Sequence, residues 1–343
     1  RDVLGSRGLG DVYKRQERYI DIVKGLAILC IVLLHYENGL FPTKVNVFVG
    51  SFMITTFYVT AGWLMAMRKN ALTTKELLHR RWQQLGLPYC YWTAIIIMFD
   101  VLLWGGGYYD TYYIARELYK SVTLRGIGTL WFLPALFFGE LIWHWLCKKR
   151  TFVIWTILIL MLTFTNAYHC IFDTHQEPLY RIVDAPFRVM TNALNACIGI
   201  AAGSYFYNFT NNKLAEWRLG KTFFVGVSLC LIAFLAANYL PSYLSFMWGC
   251  LAPLLGPLGF LCIAKAVQSS RWTDFFDYWG RNSLLLMVTH YSIVLVLFQW
   301  FTESVLSKSF SGWISLGCFI ISIPIQYLLV PFFDKYAKYL LGK

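Results

Sequence analysis

Tyr19-Ile-Asp-Ile-Val-Lys-Gly-Leu-Ala-Ile-Leu-Cys-Ile-Val-Leu-Leu-His35 is an apolar run interrupted by three ionisable residues, Asp21, Lys24 and His35. A bilayer core about 30 Å thick takes roughly 20 apolar residues per helix, and residues 20–38 supply such a span. Ionisable groups are costly in hydrocarbon, so each one inside a span is a functional candidate. Asp21 and Lys24, three apart, can pair near the inner surface. Lys24 and His35 are eleven residues apart, which is three turns plus about 20° and about 16 Å of rise, so both fall on one helix face. The plainer readings are a lysine snorkelling to the interface and a histidine at the outer end of the helix.

Working outward, apolar runs at 47–67, 86–104, 129–147, 151–168, 189–208, 222–240, 244–264, 282–301 and 311–333 complete a set of ten. Only 14% of the 343 residues are charged and 58% are hydrophobic, against about a quarter charged in a soluble domain. Open sheet is excluded in lipid. The fold class is therefore all-α integral membrane, a polytopic bundle of about ten transmembrane helices. With N- and C-termini cytoplasmic, 22 of the 30 Lys and Arg lie on the inner side and seven on the outer, with Lys24 inside the first span. That bias fixes orientation, assigns the +12 charge to topology, and removes nucleic acid as a partner. The nine cysteines form no C-x-x-C pair and no His/Cys cluster at zinc spacing, so neither a disulfide framework nor a metal site is expected. Residues 7–16 read like a translated sequencing adapter; 1–16 are set aside as a non-native artefact, and 17–343 are read as a single transmembrane domain with no cleavable signal peptide. Stretches 105–128 and 169–188, with Gly105 to Gly107 and Pro178 as breakers, are expected to be outer loops.

Four further stretches accompany Lys24-x10-His35. Phe57-Tyr-Val-Thr-Ala-Gly-Trp63 is an aromatic run ahead of small residues, and Arg81-Trp-Gln-Gln84 leads into Leu-Gly-Leu-Pro88. Trp131-Phe132-Leu133 opens the fourth span, and Gly280-Arg-Asn-Ser283-Leu284 precedes His290. In that order, and over the whole chain from Arg18, the sequence resembles the membrane-bound acyltransferase-3 family, which includes O-acetyltransferases of bacterial surface polysaccharides. It departs from the family pattern with Lys24 for arginine, Ala61 for serine, and Gln84 for the second arginine of an Arg-x-x-Arg pair. A lysine offers phosphate a point charge where arginine offers a bidentate fork.

The resemblance implies transfer of an acyl group, usually acetyl, from cytoplasmic acetyl-CoA or another acyl-CoA to a hydroxyl, with no bound cofactor. It implies a multi-pass protein of the bacterial inner membrane, partnered by the lipid bilayer, the acyl-CoA and a glycan or other hydroxyl acceptor; it sets no oligomeric state. Lys24, Arg68, Lys69, Arg80 and Arg81 are the expected donor-phosphate ligands. His35 is the expected general base, an acyl-histidine being the alternative. Ser283 and His290, seven apart, either contact substrate or orient His35, or are satisfied by a neighbouring helix. Glu140, deep in the fourth span, is either an acid–base partner or a paired buried carboxyl. Trp131 is a candidate for stacking on a sugar or on adenine, and Arg181, with Asp184 and Arg188, for contacting the acceptor from outside. His144 and Lys148 read as interfacial, and His169 and His175, with Asp173 and Glu177, as a solvated loop. The rival function is an exporter or transporter of a polysaccharide or lipid-linked sugar.

Overall fold

The computed structural model describes residues 3–36, 39–68, 72–172, 178–241 and 249–343, and no strand occurs among them. The principal helices are α1 (Val3–Tyr36), α2 (Thr43–Met67), α3 (Thr74–Gly105), α4 (Thr111–Val122), α5 (Phe132–Leu146), α6 (Thr151–Phe172), α7 (Pro178–Glu216), α8 (Leu219–Tyr239), α9 (Leu251–Val267), α10 (Thr273–Arg281), α11 (Ser283–Val305) and α12 (Gly312–Tyr336). Among the described residues, seven are long and apolar enough to cross a membrane: α1 from Arg18, α2, α3, α6, α8, α11 and α12. This is an all-helical, multi-pass membrane protein. The first helix begins at Val3, upstream of the span expected from residue 20; no proline interrupts it. The expected loop 169–188 is instead taken up by the end of α6 and the start of α7, residues 173–177 lying outside the described residues.

The chain divides into two compact units. One comprises Arg1–Ile31, Pro42–Ala66 and Gly203–Ser283; the other comprises Val32–Phe41, Met67–Ala202 and Leu284–Lys343.

In the first unit the helices meet where side chains are absent. A Cβ on Gly25 would overlap the Phe276 carbonyl oxygen, and one on Gly280 the Asp21 carbonyl oxygen, so α1 and α10 touch backbone to backbone. Gly226 of α8 and Gly259 of α9 repeat the arrangement. Without a hydrophobic force between helices in lipid, such close packing is what associates them. Trp63, 2% exposed, donates its Nε1–H to Tyr19 Oη at 2.8 Å and packs against Phe206 and Tyr207. Gly280, part of the Gly-x-x-Ser-Leu stretch, thus serves a helix crossing.

In the second unit α3 begins with a capping box, Thr73 Oγ1 accepting from Glu76 N–H while Glu76 accepts from Thr73 N–H. Pro88 would crowd the carbonyl of Gln84, four residues back, and the helix widens into a π turn over Trp82–Gly86, which gives that carbonyl room. Trp92 anchors the C-terminal turn Lys338–Leu341 through its Nε1–H to the Leu340 carbonyl at 2.9 Å. Gly139 of α5 lies against Ala196 and Cys197 of α7.

Residues 105–128 are not the irregular loop expected. Asp110 caps α4 by accepting from Tyr113 N–H at 2.7 Å. The helix folds back along α3, so that Tyr89 Oη–H donates to the Ser121 carbonyl at 2.9 Å, sixteen residues or about 24 Å of helix below Gly105. The expectation failed because α4 has the polar composition of a loop, with Glu117 buried and Arg116 and Lys120 paired to it. Leu124, Gly126 and Gly128, at φ of 59°, 76° and 53°, then reverse the chain into α5. That helix has 15 residues, shorter than the span read over 129–147.

Replacing Gly280 with valine is expected to push α10 off α1 and to cost about 1–3 kcal/mol. A lower unfolding midpoint in detergent micelles checks this, and an unchanged midpoint contradicts the crossing.

Candidate active site

Within the second unit, the end of α1 delivers His35 and α11 delivers His290. His290 begins a π turn, His290–Leu295, within α11, a distortion often found at functional sites. It is fully buried. Its Nδ1 lies 2.6 Å from the Leu286 carbonyl, and its Nε2 lies 3.3 Å from His35 Nδ1. A carbonyl only accepts, so on a singly protonated ring the proton sits on Nδ1 and Nε2 is the acceptor. His35 must then donate from its own Nδ1, which leaves its lone pair on Nε2. The next residue, Tyr291, stands edge-on to the His35 ring with centroids 4.8 Å apart.

A second centre lies near the start of α3. Glu140 of α5 is 1% exposed and accepts from Arg81 Nε–H, while Arg81 Nη1–H donates to Gln84 Oε1 at 2.6 Å. The charges of Arg68 and Arg80 also face this carboxylate. Three expected phosphate ligands are therefore gathered around one buried anion, with Arg80 exposed and Arg81 half-buried. Gln84, in the place of the family's second arginine, hydrogen-bonds to the first. Nearby, His144 Nε2 lies 2.8 Å from Lys148 Nζ and 3.3 Å from Thr74 Oγ1.

The other expected residues fall elsewhere. Lys24 belongs to the first unit and forms an ion pair with Asp21 at 2.9 Å. Ser283 is the last residue of that unit, and His290 belongs to the second. Trp131 closes the turn before α5, its backbone against Gly126. Asp184 accepts from Tyr168 Oη–H and from Arg188 Nε–H. Lys69, Asp173, His175 and Glu177 lie outside the described residues, as does the Arg181 side chain. Among the described residues no three His, Cys, Asp or Glu side chains converge as metal ligands.

Sequence reasoning missed Asp100 and Glu117, 2% and 3% exposed. Glu117 Oε1 takes Lys120 at 2.7 Å and Arg116 at 2.9 Å, whereas Glu117 Oε2 and Asp100 Oδ2 have no hydrogen-bond partner among the described residues. Both carboxylates face Tyr109, whose phenol burial pushes up to about 12 against a lowering hydrogen bond from Tyr113, the charges of Asp100 and Glu117 adding to the rise. Asp100, alone among the apolar residues 94–104, was the available signal. Tyr291 and Thr129 carried none, because the π turn that presents Tyr291 and the chain reversal that presents Thr129 have no sequence periodicity.

The chain is an all-helical membrane protein whose second unit holds a histidine pair, His290 fully buried and His35 partly so, and a cluster of arginines around Glu140. The chain belongs to the acyltransferase-3 family: the family's acyltransferase domain matches residues 17–334. No curated protein and no solved structure gives a significant match. Family membership makes this a membrane acyltransferase.

Arg81→Ala leaves Glu140 buried without its hydrogen-bonded cation and is expected to cost about 3–5 kcal/mol, with Glu140→Gln costing less. Unfolding midpoints of the two variants in detergent check the order; equal midpoints would contradict a paired buried carboxylate.

Proposed function

We propose that the protein is an O-acyltransferase of the bacterial inner membrane that moves an acyl group, acetyl in the simplest case, from cytoplasmic acyl-CoA to a hydroxyl of a cell-envelope polysaccharide or other glycan. In this reading ten helices cross the bilayer, α5, α7 and α9 joining the seven long ones, with both termini cytoplasmic. The distribution of Lys and Arg along the sequence supports that orientation.

The observation that carries the chemistry is the nitrogen order from the Leu286 carbonyl through His290 to His35, since it turns the basic nitrogen of His35 away from its partner. His35 Nε2 takes the proton of the acceptor hydroxyl as the oxygen attacks the thioester carbon. The carbon–sulfur bond then breaks, and the thiolate leaves with the proton that the imidazolium returns. Ester and free CoA thiol result, with no net proton change. His290 Nε2, accepting from His35 Nδ1–H, stabilises the imidazolium between the two steps. Arg68, Arg80 and Arg81 attract the donor phosphates, and Lys24 adds a further cation. Trp131 and Arg181 are acceptor contacts in the same proposal.

His35→Ala is expected to lower transfer of label from radiolabelled acetyl-CoA to envelope glycan by about 10²–10⁴-fold. Lys24→Ala should raise the apparent KM for acetyl-CoA about tenfold and leave kcat nearly unchanged. Wild-type labelling in the His35 variant, or glycan export without any acyl change in the wild type, would sink the proposal.

A further inference from the structure

The chain reversal that separates α4 from α5 is fastened to α11 beside His290. Thr129 Oγ1–H donates to the Met287 carbonyl at 2.5 Å, one residue along from Leu286, whose carbonyl holds His290 Nδ1. Gly128 lies on the other side of the same turn. Its φ is +53°, and a Cβ there would overlap Ser292 Oγ and the Tyr291 ring. Two consecutive residues thus grip the helix before and after His290, at the start of the π turn. Tyr291, held by Gly128 on one side, is itself edge-on to His35.

A π turn is less favourable than regular α-helix and persists where something holds it. The peptide planes of Leu286 and Met287 are adjacent, so a bond that fixes the Met287 carbonyl restrains the direction of the Leu286 carbonyl. That direction decides which ring nitrogen of His290 carries the proton, and His290 in turn decides it for His35. We propose that Thr129 is a positioning residue that sets the protonated nitrogen of both histidines through the backbone of α11, without touching either ring. This rests on the reading of His35 as the base. Serine would preserve the bond, whereas valine, of similar shape, would abolish it.

The test uses full-length protein in lipid nanodiscs with ¹⁵N-labelled histidine, and the ring signals are assigned by their loss in His35→Ala and His290→Gln. Wild type is expected to show both rings protonated on Nδ1. Thr129→Val is expected to mix the two tautomers and to lower kcat about tenfold, as for one lost hydrogen bond, with the KM for acetyl-CoA within about twofold of wild type. Thr129→Ser should restore both readouts. Protonation of either wild-type ring on Nε2, an unchanged spectrum and kcat in the valine variant, or failure of serine to restore them would overturn the inference. Should the valine variant not fold, the wild-type spectrum and the serine variant still decide it. The spectra need no turnover, so they are independent of His35→Ala labelling, which tests the proposed function by itself.

Discussion

Hydrocarbon offers a backbone amide or carbonyl no partner, so a chain inside it is held to regular helix unless side chains or other backbone groups complete each departure. The departures described here are completed in that way. The π turn before Pro88 is closed by Leu87 N–H to the Trp82 carbonyl. The π turn at His290 has a ring nitrogen and a threonine hydroxyl on successive carbonyls. The reversal after α4 is closed by Gly126 N–H to the Lys120 carbonyl at 3.0 Å. Irregular backbone and chemically capable side chains coincide because both require the same local supply of polar groups.

The charges obey the same constraint. Glu140 is buried beneath arginines and Glu117 beneath Lys120 and Arg116, so each carboxylate enters the protein with compensating cations. Arg81 neutralises Glu140, and in the proposed reading the same guanidinium also draws in the donor phosphates. Gln84 adds a neutral acceptor to that guanidinium, where a second arginine would have added another positive charge.

The amphipathic logic of the spans was legible in the sequence: runs of apolar residues gave the long helices near their observed positions, and the spacing of Lys24 and His35 marked the first of them. The Lys24-x10-His35 and Gly280 to His290 stretches also pointed to two histidines, which the fold brings within hydrogen-bonding distance. What the sequence concealed was direction. α4 looks like a loop because it is polar, and only tertiary packing reveals that its polar face is the buried one. The purpose of Gly280 was hidden for the opposite reason: a glycine near a candidate histidine suggests chemistry, whereas its lack of a side chain serves the passage of α1 across α10.

The shortness of α5 has a consequence for the polar groups on it. Fifteen residues provide about 22 Å of helix, against a hydrocarbon thickness of about 30 Å, so the helix alone does not reach from one aqueous face to the other. A carboxylate on such a helix cannot rely on its own helix end for contact with water, and the cation that accompanies Glu140 has to come from a neighbouring helix, as Arg81 does.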